Sequence, residues 1–301
     1  MPSKQSKAVK KHWAAARLAF ERPEAERPDT ESADDAWGGL TAEPRGVDYI
    51  ETDAGGLPAM WAVPKGSAED RVLLCMHGGG FVSGSMYSHR KMFGHLAKTT
   101  RVRALIFDYR LALEHLHPAQ VDDATAVYRW LLEQGISADH IAFSGDSAGG
   151  GLAVTTQLRA RERGLPLPAA TMLFSPWVDM EAVGESYQTN RDRDAFFSTD
   201  VVRGLVGIYL GEGGDARDPL ANPLYADLSG LGPVHIQVGG DEVLLDDARR
   251  LEEHASKAGV DVRLQVFPEM QHTFQMAAGR APEADEAIRA MADWVRPKLG
   301  L

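Results

Sequence analysis

Ile141-Ala142-Phe143-Ser144-Gly145-Asp146-Ser147-Ala148-Gly149-Gly150 is an apolar, β-prone run that passes directly into Gly-x-Ser-x-Gly and then into small, helix-compatible residues. A serine hydroxyl at its ordinary pKa is a weak nucleophile, so it must be held where a base reaches it and a carbonyl can approach. A sharp strand-to-helix turn does this, and it forces strand and helix so close that the residues two before and two after the serine must be small, here Gly145 and Gly149. The pentapeptide alone is also compatible with an ordinary glycine turn, so its surroundings must decide.

Acyl chemistry needs donors for the charge that develops on the carbonyl oxygen. Upstream, the apolar run Val72-Leu73-Leu74-Cys75-Met76 ends in His77-Gly78-Gly79-Gly80-Phe81. Glycine amides in such a loop can turn toward a ligand atom, and Ala148 adds an N–H from the first turn of its helix. The oxyanion hole is therefore assigned to Gly78, Gly79 and Ala148. A phosphate cradle would continue with Lys-Ser/Thr, whereas this loop continues Phe81-Val82-Ser83.

In hydrolases built this way the acid and the histidine follow the serine in that order. Val234-His235-Ile236-Gln237-Val238-Gly239-Gly240 reads as a buried strand ending in glycines, with Asp241 at its carboxyl end. Val262–Phe267 alternates as another strand, and the loop after it ends in His272. The expected roles are attack by Ser147, proton transfer by His272, and orientation of the imidazole by Asp241. Glu242, Asp246 and Asp247 are rival acids, read here as first-turn or cap carboxylates of the following helix. His115 and His117 share a possible metal spacing but lack a third ligand, and Pro118 follows at once. His77 is expected to shape the glycine loop, and the remaining histidines are read as surface or structural.

Three motifs carry a family resemblance: His77-Gly78-Gly79-Gly80-Phe81, Asp108-Tyr109-Arg110-Leu111-Ala112-Leu113-Glu114-His115, and Gly145-Asp146-Ser147-Ala148-Gly149-Gly150. In this order and spacing the chain, from about residue 45 onward, resembles the α/β-hydrolase fold and, within it, the bacterial hormone-sensitive-lipase-like esterases. Leu113 departs from the proline usual in that family. The resemblance implies a mostly parallel eight-stranded sheet with helices on both faces, no cofactor, and a homodimer. It also implies an N-terminal cap segment over residues 1–44 and a catalytic domain over 45–301 with a cap insertion at about 183–228. The apolar helical face Val201–Leu210 would then line the acyl pocket, making Phe81, Leu205, Tyr209 and Leu244 candidate substrate-binding residues. Asp108, Arg110 and Glu114 are expected to form a partly buried ion-pair network bracing the active-site loops.

Composition agrees with these expectations. The chain has 301 residues, enough for one large α/β domain and a small cap, and its formal net charge of −11 argues against nucleic acid and anionic membrane surfaces. Its single cysteine, Cys75, lies in an apolar strand, which precludes an internal disulfide and suits a reducing cytoplasm. Four lysines precede Trp13–Phe20 in the manner of a signal peptide, but Arg17 interrupts the short apolar run, so an amphipathic helix is expected. Glu21 to Trp37, dense in Pro, Glu, Asp and Arg, reads as an exposed connection. Strands are expected at 47–52, 59–63, 72–76, 102–107, 141–144, 171–174, 234–238 and 262–267, and helices near 121–133, 150–163, 246–258 and 283–295.

The leading expectation is a serine carboxylesterase that takes a small ester through an acyl-enzyme, with lactones as further substrates. Its short, charged cap favours short acyl chains and no stable membrane association. The triad equally serves an amidase, a peptidase or an acyltransferase. A non-catalytic receptor of this fold would typically lack the histidine that His272 supplies.

Overall fold

Val72-Leu73-Leu74-Cys75-Met76 is apolar at every position, the pattern of a strand covered on both faces rather than one. The computed structural model, which describes residues 2–20 and 36–301, places it in the middle of an eight-stranded sheet. In chain order the strands are β1 (Val47–Asp53), β2 (Pro58–Pro64), β3 (Ala68–Met76), β4 (Val102–Phe107), β5 (Ile141–Asp146), β6 (Ala170–Phe174), β7 (Val234–Gly239) and β8 (Val262–Phe267). Their spatial order is β1-β2-β4-β3-β5-β6-β7-β8. The first two pairings, β1 with β2 and β2 with β4, are antiparallel, and all the others are parallel.

Successive residues of a strand face opposite sides, so β3 feeds two cores. Val72, Leu74 and Met76 join the core covered by helices α3 (Ala119–Glu133), α4 (Ala148–Glu162) and α7 (Leu245–Lys257). Leu73 and Cys75 join the core covered by α1 (Lys7–Phe20), α2 (Met86–Thr100) and α8 (Pro282–Val295). Two short helices, α5 (Ser186–Thr189) and α6 (Thr199–Leu210), lie between β6 and β7.

The expected eight strands and four flanking helices are present with ends shifted by at most a few residues. Helix α2 was not anticipated. Its buried stripe contains Ser88, His89 and Thr100 among Met92, Phe93 and Leu96, so polar residues interrupt the apolar period that would reveal it. It opens with a capping box in which Ser85 and Ser88 exchange hydrogen bonds with each other's backbone amides. Most of the expected Glu21–Trp37 connection lies outside the described residues. Trp37 itself is buried, edge-on to His89 at 4.4 Å, which corrects the expectation of exposure at that end.

Candidate active site

β5 ends at Asp146 and α4 begins at Ala148, leaving Ser147 alone in the turn at φ 53, ψ −124. A non-glycine residue at such angles is strained, and the surrounding contacts hold it there. The Ser147 amide donates to Phe174 O at 2.9 Å, and its carbonyl accepts from Trp177 N at 2.9 Å. A Cβ on Gly145 would fall 2.1 Å from Gly149 O, and one on Gly149 the same distance from Met76 O, so both positions exclude any side chain.

His272 reaches Ser147 from the loop after β8, its Nε2 accepting from Ser147 Oγ at 2.9 Å. On the other side of the ring, Nδ1 donates to Glu242 Oε2 at 2.8 Å. A carboxylate on Nδ1 fixes the tautomer that leaves Nε2 as the base. Glu242 is itself held: Oε1 accepts from Ser175 Oγ at 2.6 Å and from Gly239 N at 2.5 Å. All three side chains are buried, with Ser147 3% and His272 1% exposed and Glu242 fully covered.

This corrects the assignment of Asp241 as the imidazole's partner. Asp241 turns away to Arg193 and Gln271, with 2.5 Å to Arg193 Nη2. The acidic run was read as the start of a helix, but α7 begins only at Leu245. Glu242 therefore sits in the preceding turn, where its longer side chain folds back under β7 to reach the ring. Of the other rivals, Asp246 caps the Ser186 amide at 2.8 Å. Asp247 accepts from the Val178 and Asp179 amides, at 3.0 and 2.9 Å.

The glycine loop also needs a correction. The Gly78 amide points inward, donating to Asp146 Oδ1 at 3.1 Å and lying 3.3 Å from His89 Nε2, so it is not free for a substrate oxygen. Among the described residues no acceptor meets the amides of Gly79 or Gly80, and Gly80 borders Ser147 in the pocket. Ala148 is the first helical residue, whose N–H has no intrahelical acceptor. Free donors beside the nucleophile are thus Gly79, Gly80 and Ala148. His77 shapes the loop: its Nδ1 donates to Gly78 O at 2.7 Å while its ring stacks on Tyr109 at 4.2 Å. Burial, helped by neighbouring His89, pushes its pKa down to about 3, so it stays a neutral spacer.

The space in front of Ser147 is lined by Gly80, Trp177, Phe197, Val202, Leu205 and Leu244. Of the candidate substrate-binding residues, Leu205 and Leu244 thus border this space. Phe81 and Tyr209 do not line it; they stack on each other at 4.0 Å, buried behind the wall. Tyr209 Oη donates to His117 Nδ1 at 2.8 Å, and His117 Nε2 donates to Asp218 at 3.0 Å, which ties α6 to the 108–118 segment. In that segment the ion pair is also not the expected one. Arg110 forks onto Asp123 of α3 at 2.7–3.1 Å, Asp108 caps the Met86 amide at 2.6 Å, and Glu114 is exposed. The N-terminal helix contributes a contact that no motif signalled: Trp13 Nε1 donates to His272 O at 2.8 Å.

A protein-family model described as the alpha/beta hydrolase fold matches residues 73–276. The chain belongs to that family. It is 40% identical over 268 residues to an acetyl-hydrolase of Streptomyces hygroscopicus, covering 89% of this chain and 88% of the relative. It is 36% identical to an esterase of Acinetobacter venetianus, covering 74% of each. Among solved structures, an esterase of the bacterial hormone-sensitive lipase family superposes with a TM-score of 0.92 at 41% identity over the full length of both chains. The esterase EstE5, soaked with p-nitrophenyl butyrate, superposes at 0.90 and 33% identity, covering 99% of this chain and all of that one. The protein is an α/β-hydrolase of the hormone-sensitive-lipase-like group and a carboxylic-ester hydrolase. Among the described residues no helix is long and apolar enough to cross a membrane.

Proposed function

We propose that this enzyme hydrolyses short-chain carboxylic esters through an acyl-enzyme on Ser147. The observation that carries the reading is the unbroken chain from Ser147 Oγ to His272 at 2.9 Å and from His272 to Glu242 at 2.8 Å. As Ser147 attacks the ester carbonyl, His272 Nε2 takes its proton and Glu242 stabilises the resulting imidazolium. The tetrahedral oxyanion accepts from the amides of Gly79, Gly80 and Ala148. His272 then returns the proton to the leaving alkoxide, and a water activated by the same nitrogen releases the acid.

Short acyl groups are favoured because Trp177, Phe197, Val202, Leu205 and Leu244 close in on Ser147 and leave it only a small apolar space. Helix α1 and residues about 183–228 act as the cap over it, residues 21–35 of the expected 1–44 cap segment lying outside the described residues; Phe197, Val202 and Leu205 supply its inner wall. The names of the similar acetyl-hydrolase and the butyrate ester given to EstE5 favour the same end of the chain-length scale. The single, buried Cys75 suits a reducing cytoplasm. Initial rates on p-nitrophenyl esters from acetyl to palmitoyl, beside a lactone and an anilide, test the reading. Acetyl to butyryl esters should be fastest, and a rate jump on emulsified long-chain esters would refute it.

A further inference from the structure

The acid and the histidine of the site sit on separate loops, after β7 and after β8, which are bonded at their own strand ends and to each other through Asp241 N and Met270 O at 3.1 Å. Both are also held from one further place, residues 190–197 between α5 and α6. Asn190 Nδ2 donates to Glu242 O at 2.8 Å and to Gly240 O at 3.1 Å. Asp194, 4% exposed, accepts the Val243 amide on Oδ2 at 2.9 Å. Its other oxygen takes the amides of Phe196 and Phe197, at 2.9 and 2.8 Å. Toward the histidine loop, Gln271 Oε1 accepts the Ala195 amide at 2.8 Å, and Gln271 Nε2 donates to Arg193 O at 3.1 Å. Phe197 then stands edge-on to the His272 ring at 4.8 Å and forms a wall of the substrate space.

A buried carboxylate that satisfies three amides is costly to install and must return that cost in what it orders. Here one of the amides belongs to Phe197 of the pocket wall, one to its neighbour Phe196, and one to the residue that follows Glu242. We propose that Asp194, with Asn190, is a positioning residue: it locks the cap wall to the acid loop, so that Glu242 meets His272 only while the cap is seated. The inference rests on the Ser147–His272–Glu242 reading above. Cap closure over a fitting ester and assembly of the acid–histidine pair are then one event, and an ester that props the wall open loses turnover as well as affinity.

Of the charged or titrating groups on the elements packed around His272, Glu242 meets the ring and Asp194 acts on it through space, while Arg193 pairs with Asp241, Lys10 of α1 donates to Arg193 O, and His12 lies edge-on to Trp13. Asp194→Asn puts an amide NH2 against one of the three backbone donors and loosens the lock. Asn190→Ala loosens the same loop without changing any charge, which separates geometry from a through-space effect of the Asp194 carboxylate. With Glu242 displaced, the imidazolium loses its partner, and the acidic limb of kcat/KM moves to lower pH. We expect that shift in both variants. The accompanying loss in kcat should be about 10²-fold for Asp194→Asn, the scale of a misplacement near 1 Å, and smaller for Asn190→Ala. Near-UV circular dichroism and melting curves establish that each variant is folded. A folded Asn190→Ala whose acidic limb stays at the wild-type position overturns the proposal, whatever its kcat. Ser147→Ala and Glu242→Gln, run alongside, keep the two questions apart. If both are inactive while the cap variants keep the wild-type limb, the lock is wrong and the triad stands. If Glu242→Gln is fully active, the triad reading itself falls, and the lock with it.

Discussion

Replacing Glu242 by Gln changes one atom, and the surrounding donors dictate which way the amide must face. Oε1 of Glu242 accepts two hydrogen bonds, from Ser175 Oγ and from the Gly239 amide. The amide NH2 of the glutamine cannot take that place without opposing a backbone N–H, so its oxygen occupies it and its NH2 points at His272 Nδ1. Nδ1 must then accept, the ring proton moves to Nε2, and the nitrogen facing Ser147 can no longer take the hydroxyl proton. The corresponding Asp-to-Asn change in the serine-protease triad has this outcome, at about 10⁴ in kcat, or about 5 kcal/mol of transition-state stabilisation. Asp241→Asn, by contrast, weakens a pair with Arg193, whose side chain is 54% exposed, and a long hydrogen bond from Gln271 at 3.5 Å, and such exposed pairs contribute about 0–1 kcal/mol. Steady-state kinetics on p-nitrophenyl acetate with both variants, beside melting curves, give the ranking. If Asp241→Asn is the more damaging, or Glu242→Gln stays within tenfold of wild type, the assignment of the acid is wrong.

A phosphonate ester should label Ser147 alone, and Ser147→Ala should block labelling and leave only the roughly 10³–10⁴ rate enhancement over water that binding and the free amides supply; peptide mapping of the labelled protein checks this. Leu205→Ala removes bulk from the wall opposite Gly80, so the ratio of hexanoyl to acetyl kcat/KM should rise about tenfold or more, one to three kcal/mol being the usual worth of a fitted methylene; an unchanged ratio would remove Leu205 from the acyl site. Burial, with neighbouring Asp179, pushes the Asp247 carboxyl up to about 8. A raised carboxyl pKa means that the folded state holds the proton more tightly, so stability is lost as pH rises from about 4 to 8. Asp247→Asn keeps the oxygen that accepts the Val178 and Asp179 amides and abolishes that loss, so its Tm relative to wild type should be higher at pH 8 than at pH 5, as differential scanning fluorimetry would register.

The sheet was legible because its strands are either apolar along their buried length, as in Val72–Met76 of β3, or bounded by glycines, as in β7, and the elbow because only glycine tolerates the approach of α4 to β5. His272 could be found from its place in a loop after a strand. Asp241 and Glu242 could not be ranked from sequence: both stand at the carboxyl end of β7, and the choice is made by Ser175 and Gly239, which are distant or featureless in the sequence yet offer two donors to one carboxylate and none to the other. Gly78 was misassigned for a similar reason. Three consecutive glycines look alike until Asp146 claims the first amide. Phe81 and Tyr209 were correctly placed near the pocket but on the wrong side of its wall, since hydrophobicity does not distinguish the layer touching the ligand from the layer behind it.

The hydrogen bond from the Trp13 indole to the carbonyl of His272 joins residues 259 positions apart. During synthesis at roughly 5–20 residues per second, the helix bearing Trp13 is therefore outside the ribosome for tens of seconds before its acceptor exists. Over that interval Val9 and Trp13 have no finished surface to cover, because α8, which closes the same core, is made later still. Helix α1 is thus an early product with a late destination: the core it covers is complete only once α8 has been made.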